Sequence, residues 1–143
     1  LMYSVLSDAA LVWVISGTEA EVFKIDVSAD ALREKTEAYA DSLSGRPDDG
    51  SFQTELGAEL YRLLVEPVRH KLDAGKEICL IPDKFLFRLP FAALPVPGEA
   101  RFLIADYRMT LAPSASVFLL NTENARRKSA AGEERVLAIG SPS

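Results

Sequence analysis

Three observations predict an α/β fold, with an N-terminal antiparallel β-meander followed by the first part of an α/β sheet with flanking helices. The first 27 residues are short apolar runs separated by tight turns. Residues 52–72 carry apolar side chains at three- and four-residue spacing, the period of a helix with one buried face. Residues 78–81, Ile-Cys-Leu-Ile, are continuously apolar, which suits a strand covered on both faces of a parallel sheet. Three consecutive parts follow from this: a β-meander over 1–27, two helices over 28–75, and the start of an α/β core over 76–143.

Within the meander, Met2 to Ser7 forms one strand and Asp8-Ala9 a tight turn. Ala10 to Ser16 forms the second strand, apolar on both sides near its middle at Leu11, Val12, Trp13 and Val14, which predicts cover on both faces. Gly17-Thr18-Glu19 makes the next turn. Phe23, Ile25 and Val27 then alternate with Val22, Lys24 and Asp26, giving one buried and one wetter face. Connections this short force antiparallel pairing.

Ser28 is placed to cap a helix over 29–44, because its side-chain oxygen can accept from an otherwise unpaired first-turn amide. Leu32, Tyr39 and Leu43 lie near one face, and Arg33 and Glu37 are spaced for an i,i+4 pair on another. The stripe is thin, so light packing is expected. Residues 45–50, Gly-Arg-Pro-Asp-Asp-Gly, read as a loop. The strongest helix opens at Ser51 or Phe52 and presents Phe52, Leu56, Leu60, Leu63, Leu64, Val68 and Leu72 on one stripe. Pro67 lies inside it, predicting a kink or break near Val65. Gly75 is expected to end it.

After the strand at 78–81, Pro82-Asp83 makes a turn and Phe85-Leu86-Phe87 reads as a short hairpin arm. Pro90, Pro95 and Pro97 keep the chain out of regular helix, and Pro97-Gly98 marks another turn. Phe102 to Ala105 and Tyr107 to Leu111 read as strands. Ala112-Pro113-Ser114 starts a helix with Val117, Phe118, Leu119 and Leu120 on its buried face. Asn121 to Glu134 reads as a frayed end and linker, and Arg135 to Gly140 as a second fully apolar strand.

The chain has 143 residues, 48% of them apolar and 26% charged, with a net charge of −5. That length suffices for a real core, and the acidic balance argues against nucleic acid as a partner. The basic run Arg126-Arg127-Lys128 is flanked by Glu123, Glu133 and Glu134 and reads as a solvated helix end. No apolar run is long enough for a membrane span, and no leader with a cleavage site is recognisable. A single cysteine excludes an internal disulfide and fits a reducing cytoplasm. A chain that starts at Leu1 is expected to belong to something longer.

The chemistry expected of an enzyme is sparse. There is one histidine, His70, and one cysteine, Cys79. His70 falls late in the long helix, on or beside its polar face, and Cys79 falls inside the 78–81 strand, where a thiol behaves as a small hydrophobe. No second histidine or cysteine supports a metal site. No glycine-rich phosphate loop or Gly-x-Ser-x-Gly elbow is present. Asp48-Asp49 and Glu133-Glu134 read as solvated, and Trp13 as core. No catalytic residue, metal or cofactor is assigned.

The order of the segments is more specific than any one of them. LMYSVLSDAALVWVIS is followed by Leu60 to Val68 with its internal proline, then Leu80-Ile81-Pro82-Asp83 and Leu89-Pro90-Phe91-Ala92-Ala93-Leu94. Tyr107 to Ser116, with Pro113 and Ser114, comes next, and Leu137 to Pro142, with Gly140, closes the series. In this order the chain resembles the front half of a CHAT domain, a bacterial relative of the caspase-like cysteine peptidases; Ser141 stands where that family often has Asn. The resemblance implies a caspase-like sheet, frequent fusion to tetratricopeptide repeats, and a catalytic His-Gly and Ser-Ala-Cys-like pair downstream of Ser143. It implies structural roles for Pro82, Asp83, Leu89, Pro90, Phe91, Ala92, Pro113, Ser114, Gly140 and Pro142. The implied partners are the rest of the domain, a repeat domain and a protein substrate, with no nucleic acid or membrane.

Two functions fit: an N-terminal scaffold of a CHAT peptidase, inactive alone, or a non-catalytic interaction or regulatory module. An unrelated small α/β binding domain is a third reading. Physical reasoning places any site in such a sheet beyond the carboxyl ends of its parallel strands.

Overall fold

The computed structural model describes residues 1–17, 19–44 and 51–131. They form two compact units, one over Leu1–Ala112 and one beginning at Pro113. The fold is mixed α/β, as the sequence predicts. The 45–50 loop, Asp48-Asp49, Glu133-Glu134 and the expected strand over 135–140 lie outside the described residues.

Strands β1 (Met2–Val5), β2 (Ala10–Ser16) and β3 (Glu19–Ile25) form an antiparallel meander in that order. The Leu6 amide donates to the Ala9 carbonyl at 2.8 Å and closes the first turn. Gly17, at φ +59, takes the left-handed conformation the second turn needs. Ala10 and Val12 are fully buried. The expected cover on both faces of β2 fails further along: Leu11, Trp13 and Val14 are half-buried and Ile15 is exposed. Pairing with β1 stops at Trp13, opposite Met2, so the last residues of β2 have only β3 beside them.

Helix α1 (Ala29–Ser44) starts where Ser28 predicts, with the Ala31 amide donating to Ser28 Oγ at 3.3 Å. Leu32, Thr36 and Tyr39 form its buried stripe, while Leu43 is exposed. Arg33 and Glu37 do not serve each other as expected. Arg33 stands 5.2 Å over the Phe85 ring, and Glu37 faces Arg88 at 3.7 Å. The 84–88 turn packs along this face and offers both the ring and the counter-charge. Light packing also underestimates α1, because the buried end of Tyr39 donates its hydroxyl to the Ala93 carbonyl at 2.6 Å.

Helix α2 (Ser51–Leu64) buries Leu60, Tyr61 and Leu64. Gly57 lets it approach its neighbours, since a Cβ there would meet Pro95 Cδ at 2.6 Å and the Tyr39 ring at 2.7 Å. The break predicted from Pro67 occurs: α2 ends at Leu64 and a 3-10 turn runs over Glu66–Lys71. Proline has no amide to give, and the Val68 amide bonds to Val65 at 3.1 Å instead of reaching Leu64. The Leu64 carbonyl so freed accepts the Tyr3 hydroxyl at 3.0 Å. Gly75 does not end the helix. The helical run stops four residues earlier, at Lys71, and Gly75 serves a separate turn at φ +80.

Strand β4 (Glu77–Leu80) pairs in parallel with β5 (Arg108–Leu111), Leu80 opposite Leu111. Parallel neighbours need a long connection. Here it is a proline-punctuated path with 3-10 turns at Lys84–Arg88, Phe91–Ala93 and Leu103–Ala105. The expected hairpin arm at 85–87 and strand at 102–105 are therefore turns. Phe102 keeps one bridge, to Pro95, across the Pro97-Gly98 turn. A parallel bridge between Met2 and Ile81 joins β1 to β4, so the two sheets meet along one seam. The core gathers there, with Tyr3, Val5, Leu80, Leu86, Leu89 and Phe91 all buried.

Helix α3 (Ala115–Ala131) belongs to the second unit. The Val117 amide donates to Ser114 Oγ at 3.2 Å, which makes Ser114 its cap. Two expectations fail. The helix runs through the polar residues after Asn121, and Val117, Phe118, Leu119 and Leu120 are exposed rather than buried. Four consecutive apolar residues span about 300° of a helix, at 100° per residue, so they cannot share one narrow face. Arg127 faces Glu123 at 3.7 Å, one turn earlier.

Candidate functional site

The physical expectation for a parallel sheet directs attention to the carboxyl end of β4. Pro82 is buried there and ends the strand, because it has no amide for the ladder. The ladder to β1 has by then made two bonds, Ile81 amide to Leu1 carbonyl at 2.8 Å and Tyr3 amide to Ile81 carbonyl at 2.9 Å. The next residue of β1 facing this side is Val5. Its amide donates to Asp83 Oδ2 at 2.8 Å, and its carbonyl accepts from Lys84 Nζ at 2.5 Å. Two side chains of the turn after Pro82 thus bond Val5, beyond the last backbone bonds between β1 and β4. On the other side of β4, the Ala112 amide donates to the Leu80 carbonyl at 2.9 Å.

Of the residues singled out in the sequence, Pro82, Asp83, Leu89 and Phe91 come together at this seam. Leu89 and Phe91 are buried in its core, and the Phe91 ring lies 5.4 Å from that of Tyr3. Pro90 and Ala92 are half-buried beside them. Pro113 is exposed and Ser114 caps α3, both in the second unit. Gly140 and Pro142 lie outside the described residues. Lys84, Tyr3 and Tyr39 are the bonding residues that sequence reasoning missed. Each meets a partner 54 to 79 residues away in the chain, and no local pattern announces a contact at that separation.

Asp83 and Lys84 are bonded to backbone, which leaves them poorly placed to move protons. Cys79 lies in the middle of β4, half-buried, and burial pushes its thiol up. That disfavours the thiolate a nucleophile needs. His70 is exposed on the 66–71 turn, edge-on to Phe23 at 5.6 Å. Among the described residues, no group of three or more His, Cys, Asp or Glu could hold a metal ion, and no helix is long and apolar enough to cross a membrane.

Two further features flank α2. A groove of about 490 Å³ runs between Ala58 and Arg62 on the helix and the Pro95–Ala100 loop. Beside it, Arg101 grips Glu99 through Nε at 2.5 Å and Nη2 at 3.0 Å, and also contacts Asp106. The Arg101 bonds hold Glu99 below the usual carboxylate range. The nearby Tyr61 hydroxyl is buried with no hydrogen-bond partner, and desolvation raises it against the pull of Arg69.

Together these features define a mixed α/β domain whose distinctive residues bind the sheet together. A family model described as CHAT domain matches residues 54–143, and the chain belongs to that family. No curated protein and no solved structure matches it. The matched region contains β4, β5 and α3. The meander and α1 precede it, yet Tyr3, Val5 and Tyr39 bond directly to Leu64, Asp83 and Ala93 within it.

Proposed function

We propose that the chain is the N-terminal scaffold of a CHAT-family, caspase-like cysteine endopeptidase, inactive by itself. In this reading it forms the sheet and one wall of the cleft, and the catalytic His and Cys follow Ser143 in the parent protein. The observation that carries the reading is the placement of the chain's only thiol. Cys79 is a mid-strand packing residue with its thiol raised by burial, and the only histidine is exposed and meets Phe23 edge-on. The carboxyl end of β4 is the edge on which such a site is built in a parallel sheet. A protein substrate, a cytoplasmic location and a repeat domain in the parent belong to the same proposal.

The test is twofold. The 143-residue chain is incubated with a peptide library, beside its Cys79→Ala variant, and no cleavage is expected from either. Cleavage that disappears in the variant would overturn the scaffold role. The parent gene is then read past Ser143 for a His-Gly followed by a Ser-Ala-Cys-like strand end; finding neither sinks the peptidase reading.

The groove beside α2 favours a second reading, a non-catalytic interaction module. Its wall is preset by Pro95 and Pro97, and Arg62 is exposed at its rim. A parent lacking the downstream pair, together with a partner whose binding is lost in Ala58→Arg, is the outcome this reading expects.

A further inference from the structure

We infer that the Asp83–Lys84 turn is a strained clasp on Val5, able to release that end of β1 without unfolding the core. The clasp forms where the backbone ladder between β4 and β1 ends, at Ile81. Val5 is two residues on from Tyr3, so its amide and carbonyl face the same side and have no strand to meet. Asp83 supplies the acceptor at 2.8 Å and Lys84 the donor at 2.5 Å. Both bonds involve a charged partner, which makes them stronger than neutral ones.

Against them stands the backbone of Lys84. Its φ is +52, and it is the only non-glycine residue at positive φ among those described. A side chain with a Cβ is strained in that region, and such strain persists only where surrounding contacts impose it. Lys84 is exposed and Asp83 half-exposed, so water can replace both bonds on opening. Release then relaxes the Lys84 backbone while hydrating both side chains. The neighbouring core does not depend on the clasp, because Leu86, Leu89 and Phe91 are held by burial. Opening frees the 83–84 turn from Val5, while the Ile81 backbone bonds and the Tyr3 hydroxyl keep the rest of β1 in place. This holds whether or not the parent protein is a peptidase.

Amide hydrogen exchange on the whole chain tests it, reading Val5 against Tyr39 in the middle of α1. Asp83→Ala should speed Val5 exchange by at least about tenfold, since it removes the only acceptor of that amide. Tyr39 should stay within about twofold. Asp83→Asn, which keeps a side-chain oxygen, should recover most of the protection. Lys84→Ala and Lys84→Gly both lose the ammonium, but only alanine keeps the strain. Val5 should therefore exchange about threefold or more faster in Lys84→Ala, even after allowing for glycine's greater freedom when open. Unchanged Val5 exchange in Asp83→Ala, or equal acceleration at Tyr39, overturns the local clasp. Equal rates in the two Lys84 variants, or faster exchange in glycine, overturn the strain.

Discussion

The two sides of β4 are held in different ways. Towards β5 the ladder is regular, four residue pairs in parallel register, and its outer face is open, with Leu111 56% exposed. Towards β1 there is a single bridge, at Ile81, yet this side holds the buried core. Tyr3 and Val5 are each 2% exposed and are tied through the Tyr3 hydroxyl, the Asp83 carboxylate and the Lys84 ammonium. Ladder regularity is therefore a poor guide to where this sheet is strong. Stability follows buried area and satisfied polar groups, and both are concentrated on the less regular side.

The sharpest way to break this contrast is to delete one side chain from each side. Tyr3→Ala should cost about 3–5 kcal/mol, the range for removing a buried aromatic ring. It also abandons the Leu64 carbonyl, whose helical donor, the Val68 amide, bonds to Val65 instead. Leu111→Ala should cost only about 0.5 kcal/mol, as expected of an exposed position. Urea unfolding of both variants decides it. Comparable losses would mean that the regular ladder carries as much stability as the seam.

A subtler change keeps the Tyr3 ring and removes its hydroxyl. Tyr3→Phe should cost about 1 kcal/mol, the net worth of one hydrogen bond, and should also alter alkaline behaviour. Burial pushes the Tyr3 hydroxyl far above its ordinary value. The unfolded chain ionises near pH ~10, while the folded protein keeps its proton. The unfolded state thus binds fewer protons above that point, and stability falls as pH rises. The contribution is fully present below about pH 10 and is lost progressively above it. Tyr39 and Tyr61 are raised for the same reason, so the unsubstituted chain loses stability through several phenols. The Phe variant should show a shallower decline, measured by circular dichroism with tyrosinate absorbance. An unchanged slope would remove Tyr3 from the account.

Much of this arrangement is legible in the residues, and the limits have physical causes. Alternation and short turns give the meander, and the Pro67 break is local chemistry. The apolar 78–81 run correctly indicates a parallel strand, but the expected cover on both faces is incomplete, with Leu80 buried and Ile78, Cys79 and Ile81 half-buried. The prolines exclude helix between 82 and 107, but apolar residues in 3-10 turns resemble short strands, hence the misreading of 85–87 and 102–105. At the site, Pro82 and Asp83 stand out in sequence while the reason does not. Asp83 acts on Val5, 78 residues away, and Lys84 has an ordinary sequence context for an unusual φ. The apolar run at 117–120 shows the converse limit. Hydrophobicity suggests burial, but no helical face can gather four consecutive residues.

The smallest predicted effect tests the open side of β4 directly. Thr110 donates its hydroxyl to Glu77 Oε1 at 2.7 Å, across the β4–β5 ladder. Both residues are exposed, so water competes for each group and ordering the glutamate offsets the bond. Glu77→Gln keeps an acceptor oxygen and removes the charge, and should change stability by no more than about 0.5 kcal/mol. Thr110→Val removes the donor and adds a β-branched residue suited to a strand, so it should be equally mild or slightly stabilising. A loss from Thr110→Val as large as that from Tyr3→Phe would show that exposed cross-strand pairs on β5 match the buried hydroxyl at the seam. The contrast between the two sides of β4 would then reduce to the aromatic ring of Tyr3 alone.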